Sequence, residues 1–116
     1  MRLLIYGEPD EGNELCSLFD CTPLAFRKIE RHFCPRYEEF LAALRDNPPD
    51  AVLVTAEGAA GMESVKAAHS IAENIPIIWF SEDKAFGAES YRLSCRYFGA
   101  KPVTERQLTA ALERCQ

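Results

Sequence analysis

The stretch Asn47-Pro48-Pro49-Asp50-Ala51-Val52-Leu53-Val54-Thr55 decides the fold. The two prolines cannot continue a helix or a central strand, so they end whatever precedes them. After Asp50 the chain runs through four aliphatic residues without a polar break. A half-buried strand would alternate apolar and polar residues. A short continuous apolar run closed by turn residues instead suits a strand covered on both faces, as in a parallel sheet. Two other stretches share this character: Leu3-Leu4-Ile5-Tyr6, closed by Gly7, and Ile77-Ile78-Trp79-Phe80-Ser81, which follows Pro76.

Helical spacing fills the intervals. Leu15, Leu18 and Phe19 recur at i, i+3, i+4, and Tyr37, Phe40, Leu41 and Leu44 at i, i+3, i+4, i+7. Met62 and Val65, with Ala68 or His69, form a weaker stripe, and Leu108, Ala111, Leu112 and Cys115 mark a last helix. Thr104-Glu105-Arg106-Gln107 before it predicts a capping box, with the Thr104 hydroxyl accepting from the Gln107 amide. Phe26 to Phe33 lies between two helices and is expected to be a strand. Ser81 to Arg96, with Gly87 inside it, reads as a loop and a weak helix, followed by a short strand around Tyr97-Phe98. Strands alternating with helices imply right-handed βαβ units. The expected fold is α/β: one domain over residues 1–116, a doubly wound three-layer sandwich around a five-stranded parallel sheet.

Composition narrows the function. The chain has 116 residues, 47% of them hydrophobic and 27% charged, with a net charge of −5. One core of ordinary size follows. An acidic chain argues against a direct nucleic-acid grip or binding to an anionic membrane, both of which need clustered Lys and Arg. The longest apolar stretch, Ile75 to Phe80, is six residues, whereas a membrane-spanning helix needs about 20. The first residues turn polar too soon for a signal peptide, so the expected location is the cytoplasm. Five cysteines without Cys-x-x-Cys spacing and only two histidines, His32 and His69, favour free thiols over a metal site.

In an open parallel sheet, working groups collect outside the carboxyl ends of the strands. Here those ends carry Gly7-Glu8-Pro9-Asp10-Glu11, Thr55-Ala56-Glu57, Ser81-Glu82-Asp83 and Ala100-Lys101-Pro102. They form a cluster of carboxylates, two hydroxyls and one lysine.

At these residues the chain resembles the receiver domain of two-component response regulators, which has a flavodoxin-like (βα)5 fold. Pro49 to Thr55 is similar to the run into the family's phosphoacceptor strand, and Gly61-Met62-Glu63 to the start of its third helix. Ile75 to Ser81 resembles its fourth strand, which ends in a signature Ser or Thr. Lys101-Pro102-Val103 resembles its Lys-Pro motif, for which the resemblance implies a cis Lys-Pro bond. The closing segment is similar to receivers that precede LytTR-type output domains.

The departures from the family pattern carry the functional expectation. The position of the phosphoacceptor aspartate is Thr55. The acidic pair that holds Mg²⁺ in the family aligns on Gly7 and Glu8, or on Tyr6 and Gly7, so a carboxylate is missing even if Asp10 leans in. An acyl phosphate forms when a carboxylate attacks a phosphoryl group while Mg²⁺ and a lysine neutralise the developing charge. A threonine hydroxyl without a base cannot replace that carboxylate. Glu82, directly after Ser81, would repel a phosphate by about 4 kcal/mol at 4 Å and an effective dielectric of 20.

The expectation is a degenerate receiver with no catalytic residue and no metal or other cofactor, Mg²⁺ binding being weak or absent. Lys101 is expected to pair with Glu8, Asp10 or Glu82, and Ser81 to cap its own loop or keep a switch role. Partners would be proteins: an output domain, a histidine kinase, or a second copy in a homodimer. The contact face implied by the resemblance includes Arg92, Tyr97, Phe98, Arg106 and Leu108. The module could belong to a transcriptional regulator. Two alternatives stand beside this reading: an atypical receiver that is still phosphorylated, and a small cysteine phosphotransfer subunit using Cys16.

Overall fold

Continuous apolar runs become central strands when both faces are covered, and here five helices among the described residues cover them. A computed structural model describes residues 1–23 and 29–115. The elements follow in the order β1 (Arg2–Tyr6), α1 (Pro9–Cys21), β2 (Glu30–Cys34), α2 (Tyr37–Asp46), β3 (Ala51–Val54), α3 (Gly58–Ile71), β4 (Ile77–Ser81), α4 (Phe86–Arg92), β5 (Tyr97–Ala100) and α5 (Glu105–Glu113). The strands form one parallel sheet in the order β2-β1-β3-β4-β5, the flavodoxin-like arrangement.

Alternate residues of each strand feed two separate cores. Leu3, Ile5, Leu53, Ile78 and Phe80 pack on one face with Leu15, Phe19, Leu108, Ala111 and Leu112 of α1 and α5. Leu4, Tyr6, Val52, Val54 and Trp79 pack on the other with Phe40, Leu44, Val65 and Ala68 of α2 and α3. The strand order reverses between β1 and β3, so the crevice opens beyond Tyr6 and Val54, which are paired in register. Among the described residues no helix is long and apolar enough to cross a membrane.

Three local readings shift. The strand expected over residues 26–33 is β2, Glu30–Cys34; residues 26–28 of the expected strand lie outside the described residues. Helix α3 begins at Gly58, ahead of the Gly61-Met62-Glu63 signal, because Gly58 turns the chain at φ 62°, where a side chain would be strained. Its buried stripe is Gly61, Ser64, Val65 and Ala68, with Met62 and His69 at the margins. The Thr104–Gln107 capping box forms as expected, and the Lys101-Pro102 bond is cis.

Candidate functional site

Lys101 follows β5 and reaches back across the carboxyl ends of the strands. Its ammonium lies 2.5 Å from Glu11 Oε2, 2.7 Å from Glu57 Oε2 and 2.6 Å from the Thr55 carbonyl oxygen. An ammonium has three N–H donors, so these three acceptors saturate it. Burial opposes the charge on Lys101, but hydrogen bonds to Glu11 and Glu57, with their negative charges, outweigh it and raise its pKa.

Glu57 is the centre of the cluster. The Ser81 hydroxyl donates to its Oε1 at 2.8 Å, and the Glu82 amide donates to its Oε2 at 2.9 Å. Burial works against ionisation of Glu57. The hydrogen bonds from Lys101, Ser81 and the Glu82 amide, with the lysine charge, more than offset this, and its carboxyl lies below the usual range. The carboxylate thereby ties together residues from the ends of β3, β4 and β5.

Thr55 is 1% exposed. Its amide continues the sheet by donating to Tyr6 O at 2.9 Å, and its hydroxyl lies 3.5 Å from the same oxygen. The hydroxyl also occupies the space that a Cβ on Gly7 would need. Glycine at position 7 and threonine at position 55 therefore fit one another sterically.

Beside this cluster lies a cavity of about 350 Å³, walled by Glu11, Glu14, Thr55, Glu57, Glu82 and Lys101 and by the apolar Leu15, Leu18, Pro102 and Val103. Cys16, the thiol that the cysteine phosphotransfer alternative would use, is exposed on α1 and does not line the cavity. Among the described residues no cluster of three or more His, Cys, Asp or Glu is placed to hold a metal ion. The Glu11 and Glu57 carboxylates are both turned onto the Lys101 ammonium.

The expected partners of Lys101 are corrected. Glu8 and Asp10 are exposed, and Glu82 contributes its backbone amide and lines the cavity. Glu11 and Glu57 take the role instead. Glu11 lies in helical phase with Leu15 and Leu18 at i+4 and i+7, which points it toward the core, whereas Asp10 is in phase with exposed Glu14. Glu57 stands two residues beyond Thr55 on chain that is still extended (φ −92°, ψ 162°), so it emerges on the same side. Both phases are readable in the sequence.

The expected contact face also divides. Tyr97 packs on the α1/α5 side near Phe80, whereas Phe98 points to the opposite side and meets Trp79 edge-on. Leu108 is fully buried and contributes nothing to a surface. Arg92, paired with Glu89, and Arg106 are exposed.

No protein-family model matches the sequence, and no curated protein matches it. Solved structures do. A response regulator receiver protein from Pseudoalteromonas atlantica has a TM-score of 0.80 at 15% identity, covering 99% of this chain and 96% of that one. The chemotaxis response regulator CheY4 of Vibrio cholerae gives 0.77 at 18% identity, covering 99% and 98%. The signal receiver domain of a modulated diguanylate cyclase from Desulfovibrio desulfuricans G20 gives 0.74 at 21% identity, covering 98% and 91%. The fold is that of a response-regulator receiver domain.

Within this fold, the ends of β3, β4 and β5 meet around Glu57. Thr55 closes β3 with its side chain turned into the protein. Ser81 and Lys101 are both present and both engaged by one carboxylate that the chain itself supplies.

Proposed function

We propose that this chain is a receiver-like signalling module that takes no phosphoryl group at the end of β3 and works through protein–protein contact. The observation that carries this reading is the saturation of Lys101 by Glu11, Glu57 and the Thr55 carbonyl, beside a threonine that is buried. A phosphoryl group arriving there would find no nucleophilic carboxylate on β3. It would also find no lysine free to neutralise charge and no carboxylate pair to hold Mg²⁺. Such a module is non-enzymatic. Its partners are an output domain, a kinase or a second copy of the chain, and transcriptional control belongs to whatever output it is coupled to. Exposed Arg92 and Arg106 are the surface cations left for that contact from the face inferred at the outset.

The second reading, an atypical receiver that is still phosphorylated, has one observation in its favour: Glu57 is a carboxylate within reach of both Ser81 and Lys101. Incubation with acetyl phosphate and Mg²⁺ followed by intact-mass measurement separates the two. The mass should stay unchanged. A phosphoryl adduct that hydroxylamine removes, and that disappears in Glu57→Gln, would establish the second reading and overturn the first.

A further inference from the structure

We propose that Glu57 is a built-in anion standing in for a ligand, and that its carboxylate sets the position of the β4–α4 loop and of the first turn of α4. The inference rests on the reading above, in which the strand-end pocket is occupied by the chain's own carboxylates.

Glu57 precedes α3 at the position where a side chain ordinarily caps its own helix, yet it makes no such bond. All its donors come from other elements: Ser81 on β4, the Glu82 amide just beyond it, and Lys101 after β5. The Ser81 hydroxyl has a single proton, and it gives this proton to Glu57. Its oxygen is then oriented to accept from the Asp83 amide at 3.0 Å. Asp83 passes the constraint on. Its carboxylate accepts from the Ala85 amide at 2.9 Å and its carbonyl from the Phe86 amide at 3.1 Å. Phe86 opens α4, and its ring stacks on Trp79 with centroids 5.0 Å apart. The chain of contacts therefore runs unbroken from the Glu57 carboxylate to the only tryptophan in the sequence.

The consequences of losing Glu57 are local. Lys101 keeps Glu11 and the Thr55 carbonyl. Ser81 loses the acceptor that orients its hydroxyl, and the Glu82 amide loses its acceptor altogether. Glu57 is in this sense a positioning residue for α4, acting through Ser81 and Asp83.

Hydrogen exchange on the full chain, without any phosphodonor, tests this. In Glu57→Ala the amides of Glu82, Asp83, Ala85 and Phe86 should exchange roughly tenfold faster or more, tenfold being the lower end for a lost hydrogen bond to a charged group. Amides of β1 and β3 should be unchanged. Sodium acetate, which supplies the missing carboxylate, should slow exchange again and restore the native Trp79 emission, while sodium chloride at equal ionic strength should not. Ser81→Ala should loosen the same amides and resist acetate, because the second link is gone. Wild-type protection of these amides in Glu57→Ala, or loosening that acetate leaves untouched, overturns the proposal. If Glu57→Ala does not fold, the isosteric Glu57→Gln is measured in its place, and unchanged exchange there overturns the proposal equally. A wild-type protein that acetyl phosphate labels would instead overturn the reading of an unphosphorylated pocket, and leaves the exchange result to be judged by itself.

Discussion

Replacing Lys101 with methionine removes the ammonium and keeps most of the aliphatic stem, so it isolates the polar part of the cluster. Glu11 Oε2, Glu57 Oε2 and the Thr55 carbonyl each lose a donor. Hydrogen bonds to charged groups contribute about 1.5–3 kcal/mol each when the partners stay dry. The two carboxylates are 27% and 37% exposed and regain water, which brings each ion-pair contact down toward about 1 kcal/mol. A second cost then appears. Both carboxylate oxygens sat against one nitrogen, so they start no more than about 5 Å apart. Two negative charges at that separation repel by about 3 kcal/mol at an effective dielectric of 20, before either side chain swings away. Relaxation and the recovered water together leave a net loss of about 3 kcal/mol.

With a urea m-value of about 1.5 kcal/mol per molar, that loss lowers the unfolding midpoint by about 2 M. Urea melts at neutral pH, followed by circular dichroism, measure it. The decisive comparison is the triple variant Glu11→Gln, Glu57→Gln, Lys101→Met. It removes the repulsion together with the attraction, and should recover at least half of the loss in the single variant. A Lys101→Met midpoint equal to that of the wild type would refute the reasoning. So would a triple variant no more stable than the single, since the carboxylates would then not be energetically coupled to the lysine.

Gly7→Ala places a Cβ against the Thr55 hydroxyl and should cost about 1–3 kcal/mol in urea melts, most of it recovered in Gly7→Ala, Thr55→Ala; equal losses in the single and double variants would contradict the steric fit. Burial pushes the Cys95 thiol up to about 12 and raises Cys34 and Cys115 as well, while Cys16 and Cys21 are exposed. Alkylation of the folded protein near pH 8 should therefore fill Cys16 and Cys21 first, as read by peptide mapping, and rapid labelling of Cys95 would count against its burial. The carboxyl of Glu57 is depressed below its unfolded value of about 4.3, so its contribution to stability is complete above that value and disappears as pH falls through the lower folded one. Lys101 is raised above about 10.4, so its contribution is complete below that value and lost as pH rises through the folded one. Glu57→Gln should flatten the acid limb of the urea midpoint against pH, and Lys101→Met the alkaline limb.

The legibility of each element in the sequence follows its surroundings. β1, β3 and β4 lie inside the sheet and carry continuous apolar runs, which only a doubly covered strand would favour. β2 is an edge strand, and its Glu30, Arg31 and His32 face solvent, so no periodic signal marks its start. The beginning of α3 is hidden because Gly58 acts through backbone freedom, which hydrophobic spacing does not register. At the site, the four strand ends and Lys101 are legible, but the pairing is not if the chain is scanned for the nearest carboxylate. Glu8 is nearest to the end of β1, yet it is exposed. Helical phase in α1 and continued extension after β3 decide the matter in favour of Glu11 and Glu57.

On the proposed reading, the residues that depart from the receiver pattern fit one another. With Thr55 at the end of β3, Lys101, whose side chain is only 10% exposed, would be an ammonium short of partners if Glu11 and Glu57 were absent. An uncompensated buried charge is among the costlier defects in a folded protein. Here Glu57 supplies a negative charge from two residues beyond Thr55, and Glu11 supplies another from the first turn of α1. Thr55 fills the space that Gly7 leaves open. On that reading, a single aspartate introduced at position 7 or 55 should leave the mass unchanged after incubation with acetyl phosphate and Mg²⁺. An aspartate at position 7 meets the Thr55 hydroxyl, and an aspartate at position 55 joins a lysine already neutralised by two glutamates. A pocket so fitted supports the proposed control by protein contact at the surface.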